Sequence, residues 1–293
     1  VLVSHRSISN TLQWRREEYG MTVQDISLHL FSYVFDGCVT SLFTPLLSGA
    51  CVLLTTDDEA KDVLALKRKI ARYKVSHMII VPSLYRVLLE VMTADDAKSL
   101  RIGTFAGEAV TPDLLELSQM ICPSAELANE YGPTENSVAT TILRHLNEKE
   151  RITIGHPIRN TKVFVLHGNQ MRPIGAAGEL CISGAGLARG YYKQQELTQK
   201  AFSDHPFLEG ERLYRTGDAG RFLPDGTIEY IGRFDDQVKI RGYRIELREI
   251  ETVLRQAPGV KEAAVLARDV SAEEKELVAY IVPEKGNSLP DLY

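Results

Sequence analysis

Twice between residues 75 and 121 the chain passes from a short apolar stretch straight into an amphipathic helix pattern. Val75-Ser76-His77-Met78-Ile79-Ile80-Val81 reads as a buried strand that Pro82 stops, and Leu84, Val87, Leu88, Val91 and Met92 then recur at helical spacing. Ile102-Gly103-Thr104-Phe105-Ala106 is the next strand. Thr111 follows as an N-cap, Pro112 takes the first helical position, and Leu114, Leu115, Leu117 and Ile121 continue the stripe. Strand and helix alternating in this way predict parallel βαβ units, hence an α/β fold.

A change comes near Ile152. Short strand signals at Lys162 to Leu166, Glu179 to Ser183 and Thr227 to Ile231 lie between Gly and Pro clusters, as in a small antiparallel β unit, with a helical stretch around Glu196 to Phe202. After Gly232-Arg233-Phe234-Asp235-Asp236 a third pattern begins. It predicts a helix over Glu249 to Arg255, strands over Ala263 to Ala267 and Val278 to Val282, and a turn at Pro283-Glu284-Lys285-Gly286-Asn287. The expected organisation is a large core over residues 1–235 and a small α+β subdomain over 236–293, both truncated. The first residues, Val1-Leu2-Val3, read like the middle of a strand.

Composition narrows the function classes. The 293 residues carry 34 Lys plus Arg against 39 Asp plus Glu, a net charge of −5, which argues against a nucleic-acid partner. No apolar run reaches the roughly 18 residues a membrane span needs, and the N-terminus lacks the plan of a signal peptide. Cys38, Cys51, Cys122 and Cys181 show no metal spacing, and each is expected to behave as a small buried hydrophobe in a reducing cytoplasm. The seven histidines show neither metal nor triad spacing and read as structural or surface groups.

Four segments carry chemistry. Asn129-Glu130-Tyr131-Gly132-Pro133-Thr134-Glu135 combines a Gly-Pro turn after a strand with a hydroxyl and a carboxylate. Backbone NH groups and a hydroxyl suit phosphate, and a hard carboxylate such as Glu135 suits Mg²⁺; an ordinary polar turn would look the same. Tyr214-Arg215-Thr216-Gly217-Asp218 places a carboxylate after a tight turn, where it can accept from both ribose hydroxyls, though Thr-Gly-Asp is also a common turn. The glycines of Gly178 to Tyr191 look structural. The charge density of Gly232 to Glu246 would by itself mean a solvated face.

Taken in order with Phe35-Asp36-Gly37-Cys38, these segments resemble the amino-acid adenylation domains of non-ribosomal peptide synthetases, within the adenylate-forming superfamily. The resemblance covers essentially the whole chain. It implies the adenylate-forming fold and a two-step reaction. An amino-acid carboxylate attacks the α-phosphate of ATP to give an aminoacyl-adenylate and pyrophosphate, and the acyl group then passes to the phosphopantetheine thiol of a carrier domain. The implied partners are the peptidyl carrier and condensation domains of the same synthetase. By position, Thr134 would touch phosphate and Glu135 would bind Mg²⁺. Tyr131 would stack on adenine, with Asn129, Gly132 and the Gly107-Glu108-Ala109 backbone beside it. Asp218 would bind the ribose hydroxyls, helped by Tyr230, Arg233 and Lys239, and Asp235 would be the hinge of the small subdomain. Arg248 stands where the family often has Gly. The family's glycine-rich phosphate loop is expected before Val1 and its C-terminal catalytic lysine beyond Tyr293, so the segment alone lacks two groups the chemistry uses.

The same resemblance maps the amino-acid pocket. Asp36 matches the carboxylate that pairs with the substrate's α-ammonium group, which separates amino-acid enzymes from acyl-CoA or aryl-acid ligases. Gly37, Thr40, Ile80, Thr104, Ala106, Glu130, Val138 and Ala139 complete the set. Small Gly37, Ala106 and Ala139 leave room for a large side chain, Ile80 and Val138 give apolar walls, and Glu130, Thr40 and Thr104 add polar atoms. A ring with a hydroxyl, tyrosine, meets both demands. The alternatives are a cationic side chain such as ornithine or lysine paired with Glu130, a Glu130 that points out of the pocket, and a non-catalytic module that binds nucleotide or a carrier domain.

Overall fold

The computed structural model describes residues 1–240, 242–270 and 275–284. It divides into two compact units, Val1–Phe234 and Asp235–Tyr293. Asp235 is thus the first residue of the second unit, where the expectation had it last in the first.

The chain opens on a helix rather than a strand. Ser4 caps it by accepting from the Ser7 amide, and α1 (His5–Tyr19) runs to Gly20, whose φ of 54° closes it in the left-handed region. Thr11, Leu12, Arg15 and Tyr19, at helical spacing, form its buried stripe. A seven-stranded sheet follows, built from β1 (Ile26–His29), β2 (Cys51–Leu54), β3 (His77–Ile80), β4 (Ile102–Ala106), β5 (Glu126–Tyr131), β6 (Thr141–Leu143) and β7 (His156–Pro157) in the order β2-β1-β3-β4-β5-β6-β7. The pairings from β2 to β5 are parallel and the last two antiparallel. Helices supply the crossovers: α2 (Gly37–Leu47), α3 (Asp57–Lys61), α4 (Val63–Tyr73), α5 (Pro82–Val91), α6 (Ala94–Ala97) and α7 (Pro112–Ile121). Thr111 sits at the N-cap of α7 but its hydroxyl accepts from Arg86 rather than capping.

Leu28, Leu66, Ile70, Met78, Tyr85, Leu88 and Phe105 make the core between sheet and helices. The Phe105 ring meets Tyr85 edge-on at 5.1 Å, and burial pushes the Tyr85 phenol far up. The sheet's edge explains one departure from the sequence reading. Cys51 opens the edge strand β2 and is exposed, and Cys38 is half-buried, while Cys122 and Cys181 are buried.

The second layer of the large unit is an antiparallel sheet, as the short strand signals predict. It contains β8 (Thr161–His167), β9 (Gln170–Met171), β10 (Gly178–Gly184), β11 (Phe202–Asp204), β12 (Arg212–Phe222) and β13 (Ile228–Arg233), with α8 (Gln195–Ala201) before β11. Among the described residues, the small unit has two hairpins, β14 (Val238–Ile240) with β15 (Tyr243–Ile245) and β16 (Val260–Asp269) with β17 (Lys275–Pro283). Its α9 (Leu247–Arg255) is tied to β16 by the Val265 amide, which donates to Glu251 at 3.0 Å. The turn expected at 283–287 lies partly outside the described residues.

Phe105→Ala removes a fully buried ring from the centre of this core. It is expected to lower the unfolding free energy by about 3–5 kcal/mol, seen as a lower urea midpoint at an unchanged m-value.

Candidate active site

Parallel strands present their carboxyl ends along one edge, which is where ligands of open α/β sheets bind. Ile80 pairs Phe105 in register, and Ala106 pairs Glu130, so the ends of β3, β4 and β5 lie side by side. The Gly107-Glu108-Ala109 loop leaves from this edge. Gly107 takes a φ of 88°, and the Glu108 carboxylate accepts from the Ser83 amide at 3.0 Å at the start of α5.

The turn after β5 is tightly wound. A Cβ on Gly132 would sit 2.1 Å from the Val138 carbonyl oxygen and 2.8 Å from the Ala139 Cα, both backbone, so only glycine fits. Thr134–Asn136 form one 3₁₀ turn, and Ser137 and Val138 follow with φ of 57° and 81°. A β-branched residue at positive φ is strained, and its neighbours must hold it there. They do so from two directions. Thr11 of α1 donates to the Ser137 carbonyl at 2.9 Å, and the Ser137 hydroxyl donates to Gly186 at 2.7 Å. The Ala188 amide reaches the Glu135 carbonyl at 2.8 Å. The glycine-rich segment after β10 is therefore the support on which this turn rests.

The turn brings two predicted groups into contact. The Thr134 hydroxyl donates to the Asp36 carboxylate at 2.7 Å. Asp36 stands at the N-cap of α2 without capping it, its side chain committed to Thr134. A cavity of about 410 Å³ opens beside the pair, lined also by His5 and Ser137 and by apolar groups such as Val39, Phe43, Val138 and Leu12. Glu135, buried, accepts from the Tyr191 hydroxyl at 2.8 Å.

A second cluster forms on the antiparallel sheet. Asp218 accepts from Arg233 at 2.7 Å and from the Tyr131 hydroxyl at 2.5 Å, and the Tyr230 ring lies 6.0 Å from that of Tyr131. Burial and then the Asp218 charge push the Tyr131 phenol well above its usual value, so it remains a donor. Asn129, also buried, donates to the Thr153 carbonyl at 2.9 Å.

The remaining pocket residues divide. Thr40 and Thr104 line a small second cavity, Ile80 packs into the main core, and Ala139 lies against Trp14 and Ile158. Gly37 opens α2 with the Phe31 ring against it, and Ala106 ends β4 half-buried. Glu130 lines neither cavity. Its carboxylate is taken by Arg15, which donates to both oxygens, and by the Tyr19 hydroxyl. Burial and then the Glu130 charge hold the Tyr19 phenol well above its usual value. Arg15 and Tyr19 escaped the sequence reading, although a cation inside the apolar stripe of α1 signals a buried anion elsewhere. Tyr191 escaped it too. Lys239 and Asp235 belong to the second unit, Lys239 pairing Arg244 across the β14–β15 hairpin.

The Gly132–Glu135 turn thus lies at the carboxyl edge of the parallel sheet, the edge where open α/β sheets bind their ligands, with the Asp36 carboxylate against it. The chain belongs to the AMP-binding enzyme family, whose description matches residues 1–192. Over its full length it is 96% identical to part of a plipastatin synthase polypeptide of Bacillus subtilis, and it spans 11% of that protein. It is also 47% identical over its full length to part of gramicidin S synthase 2 of Aneurinibacillus migulanus, spanning 7% of it. Two solved structures are similar. An artificially fused adenylation–PCP di-domain NRPS from Klebsiella oxytoca superposes with a TM-score of 0.82 at 27% identity, over 99% of this chain and 54% of its own. The Vibrio cholerae adenylation domain AlmE, solved with glycyl-adenosine-5'-phosphate, gives 0.84 at 28% identity, over 95% and 54%.

Gly132→Ala forces the turn off the Val138 backbone and is expected to weaken ATP binding more than tenfold by calorimetry, with the far-UV spectrum retained. Asp218→Asn removes a charged acceptor, and since hydrogen bonds to charged groups contribute about 1.5–3 kcal/mol, ATP affinity should fall roughly 10- to 100-fold.

Proposed function

We propose that this chain is the core of a non-ribosomal peptide synthetase adenylation domain that activates tyrosine with ATP and delivers it to the phosphopantetheine thiol of a carrier domain. One observation carries the reading: the Asp36–Thr134 hydrogen bond of 2.7 Å. It sets the group suited to an α-ammonium beside the group suited to a phosphate. A substrate amine on Asp36 thus holds its carboxylate within reach of an α-phosphate near Thr134, the proximity that turns a bimolecular attack into a local one.

The other residues take supporting parts. Asp218, with Tyr131, Tyr230 and Arg233 around it, fits a ribose and its base, and Asn129 and the Gly107–Ala109 backbone border the base. Mg²⁺ would neutralise the phosphate charge when bound. Glu135 supplies one hard carboxylate donor, which suits an ion whose shell is mostly phosphate oxygen and water. Asp235 would serve as the hinge between the two half-reactions, the carrier domain entering in the second; a condensation domain would receive the product.

Tyrosine is favoured over a cationic amino acid by the partners of Glu130. Its charge is already balanced by Arg15, so a substrate ammonium would find no unpaired anion and would face a guanidinium instead. A neutral side chain with a polar end suits that surrounding better.

The test is amino-acid-dependent pyrophosphate exchange on the protein extended to the length of its solved neighbours. Wild type should activate tyrosine well above phenylalanine and ornithine, and equal use of all three would overturn the tyrosine reading. Asp36→Ala should lower exchange with every amino acid by roughly two orders of magnitude or more, the scale of a broken buried charge pair at about 3–5 kcal/mol, while ATP still binds. Wild-type exchange in that variant would overturn the role of Asp36.

A further inference from the structure

Three buried polar atoms have no hydrogen-bond partner among the described residues and share one place: Arg15 Nε, Thr44 Oγ1 and His77 Nε2. All three residues line the small cavity that also touches Thr40 and Thr104. Arg15 and Thr44 are each 1% exposed and His77 is 2% exposed. Such atoms are costly to leave unmade, so the cavity is built for a polar guest. Its volume is about 10 Å³, room for one water-sized group and too little for a ring.

The hydrogen-bonding character of each atom can be worked out. Arg15 gives its Nη1 to Glu130, and its Nε can only donate. Ser76 Oγ donates to Asp25 at 3.0 Å and lies 2.8 Å from His77 Nδ1. With Ser76 donating to Asp25, Nδ1 carries the histidine proton and Nε2 accepts; with Ser76 donating to Nδ1, Nε2 carries it and donates. Burial outweighs the Asp25 charge and lowers the His77 pKa to about 4, so the ring is neutral at physiological pH. Thr44 can give or accept. A fixed donor at Arg15, a threonine hydroxyl of either kind and one imidazole nitrogen match a hydroxyl in either tautomer, since a hydroxyl donates one hydrogen bond and accepts two. An ammonium, which only donates, would leave Arg15 Nε unmet.

Asp36, Thr40 and Thr44 succeed one another at i, i+4 and i+8 along α2, so they form one row that starts at the carboxylate and ends at the small cavity.

We propose that this cavity is the seat of the substrate's terminal hydroxyl, and that Arg15, Thr44 and His77 read it. The proposal rests on the tyrosine reading above and names the residues that enforce it. Arg15 acts twice: it holds Glu130 away from the substrate and offers Nε to the hydroxyl oxygen.

The experiment compares tyrosine and phenylalanine in pyrophosphate exchange, as kcat/KM, in the extended protein and in Thr44→Val, Thr44→Ser, His77→Leu and Arg15→Lys. Thr44→Val and His77→Leu should each lower the tyrosine-to-phenylalanine ratio at least tenfold, through tyrosine KM, with phenylalanine retained or improved and the KM for ATP unchanged. Thr44→Ser should restore the ratio. Arg15→Lys keeps the charge for Glu130 but loses Nε, and should lower the ratio in the same sense. A purely structural role would depress both substrates together. Variants that keep the wild-type ratio, or lower both substrates equally with Thr44→Ser no better than Thr44→Val, would overturn the proposal and leave the tyrosine reading intact. A wild type that does not prefer tyrosine to phenylalanine overturns that reading instead.

Discussion

The interaction on which the site depends is the buried pair of Arg15 and Glu130. It joins the first helix to the strand that carries the Gly132–Glu135 turn, over 115 residues of sequence. Both side chains are almost wholly inaccessible, and removing one partner of such a pair costs about 3–5 kcal/mol because the other charge is stranded. Tyr19 adds a third hydrogen bond, and the guanidinium of Arg15 also lies 4.8 Å from the Tyr19 ring centre. With β5 fixed in this way, Asn129 and Tyr131 on either side of Glu130 have no freedom to turn. Tyr131 is thereby aimed at Asp218 on the neighbouring sheet, and the Tyr131–Asp218–Arg233 cluster inherits its geometry from an ion pair outside it.

Strain is stored close by. The positive φ of Ser137 and Val138 persists because α1, through Thr11, and the segment after β10, through Gly186 and Ala188, hold the turn from both sides. A turn held this way keeps Thr134 fixed against Asp36 without rearrangement, the preorganisation that the proposed phosphate contact would use.

Much of the fold was legible because its signals are local. The βαβ units announce themselves through apolar runs closed by Pro82 and Pro112, and β4 spans the residues its pattern predicts, Ile102–Ala106. The antiparallel layer was equally readable from Gly-bounded alternation. The opening helix was missed because Val1-Leu2-Val3 is apolar, whereas the cap at Ser4 and the stripe Thr11, Leu12, Arg15, Tyr19 decide the segment. Site residues that form turns, such as Gly132 and Thr134, could be named from sequence. Their partners could not. Arg15, Tyr191 and His77 come from segments 56 to 115 residues away from, or wholly unlike, the motifs they serve, and a lone Arg, Tyr or His carries no motif. Glu130 shows the limit most clearly. Sequence presents it as a free carboxylate with two possible guests, and only the packing of α1 reveals that it is already paired.

That pairing changes what the pocket can discriminate. A cavity lined by apolar groups separates substrates differing by a methylene only about 10- to 200-fold, and it scarcely distinguishes an added hydroxyl. A site whose buried polar atoms are satisfied by a guest hydroxyl can reject the analogue lacking it by ~10⁴, because each unmet donor or acceptor is penalised in the wrong complex. An unbalanced Glu130 would have undone this, since a lone buried carboxylate favours a cation over any hydroxyl. By matching Glu130 with Arg15, the fold balances that charge within the protein. On the proposed tyrosine reading, selection rests on hydrogen-bond arithmetic, and helix α1, outside the sequence motifs, sets its terms.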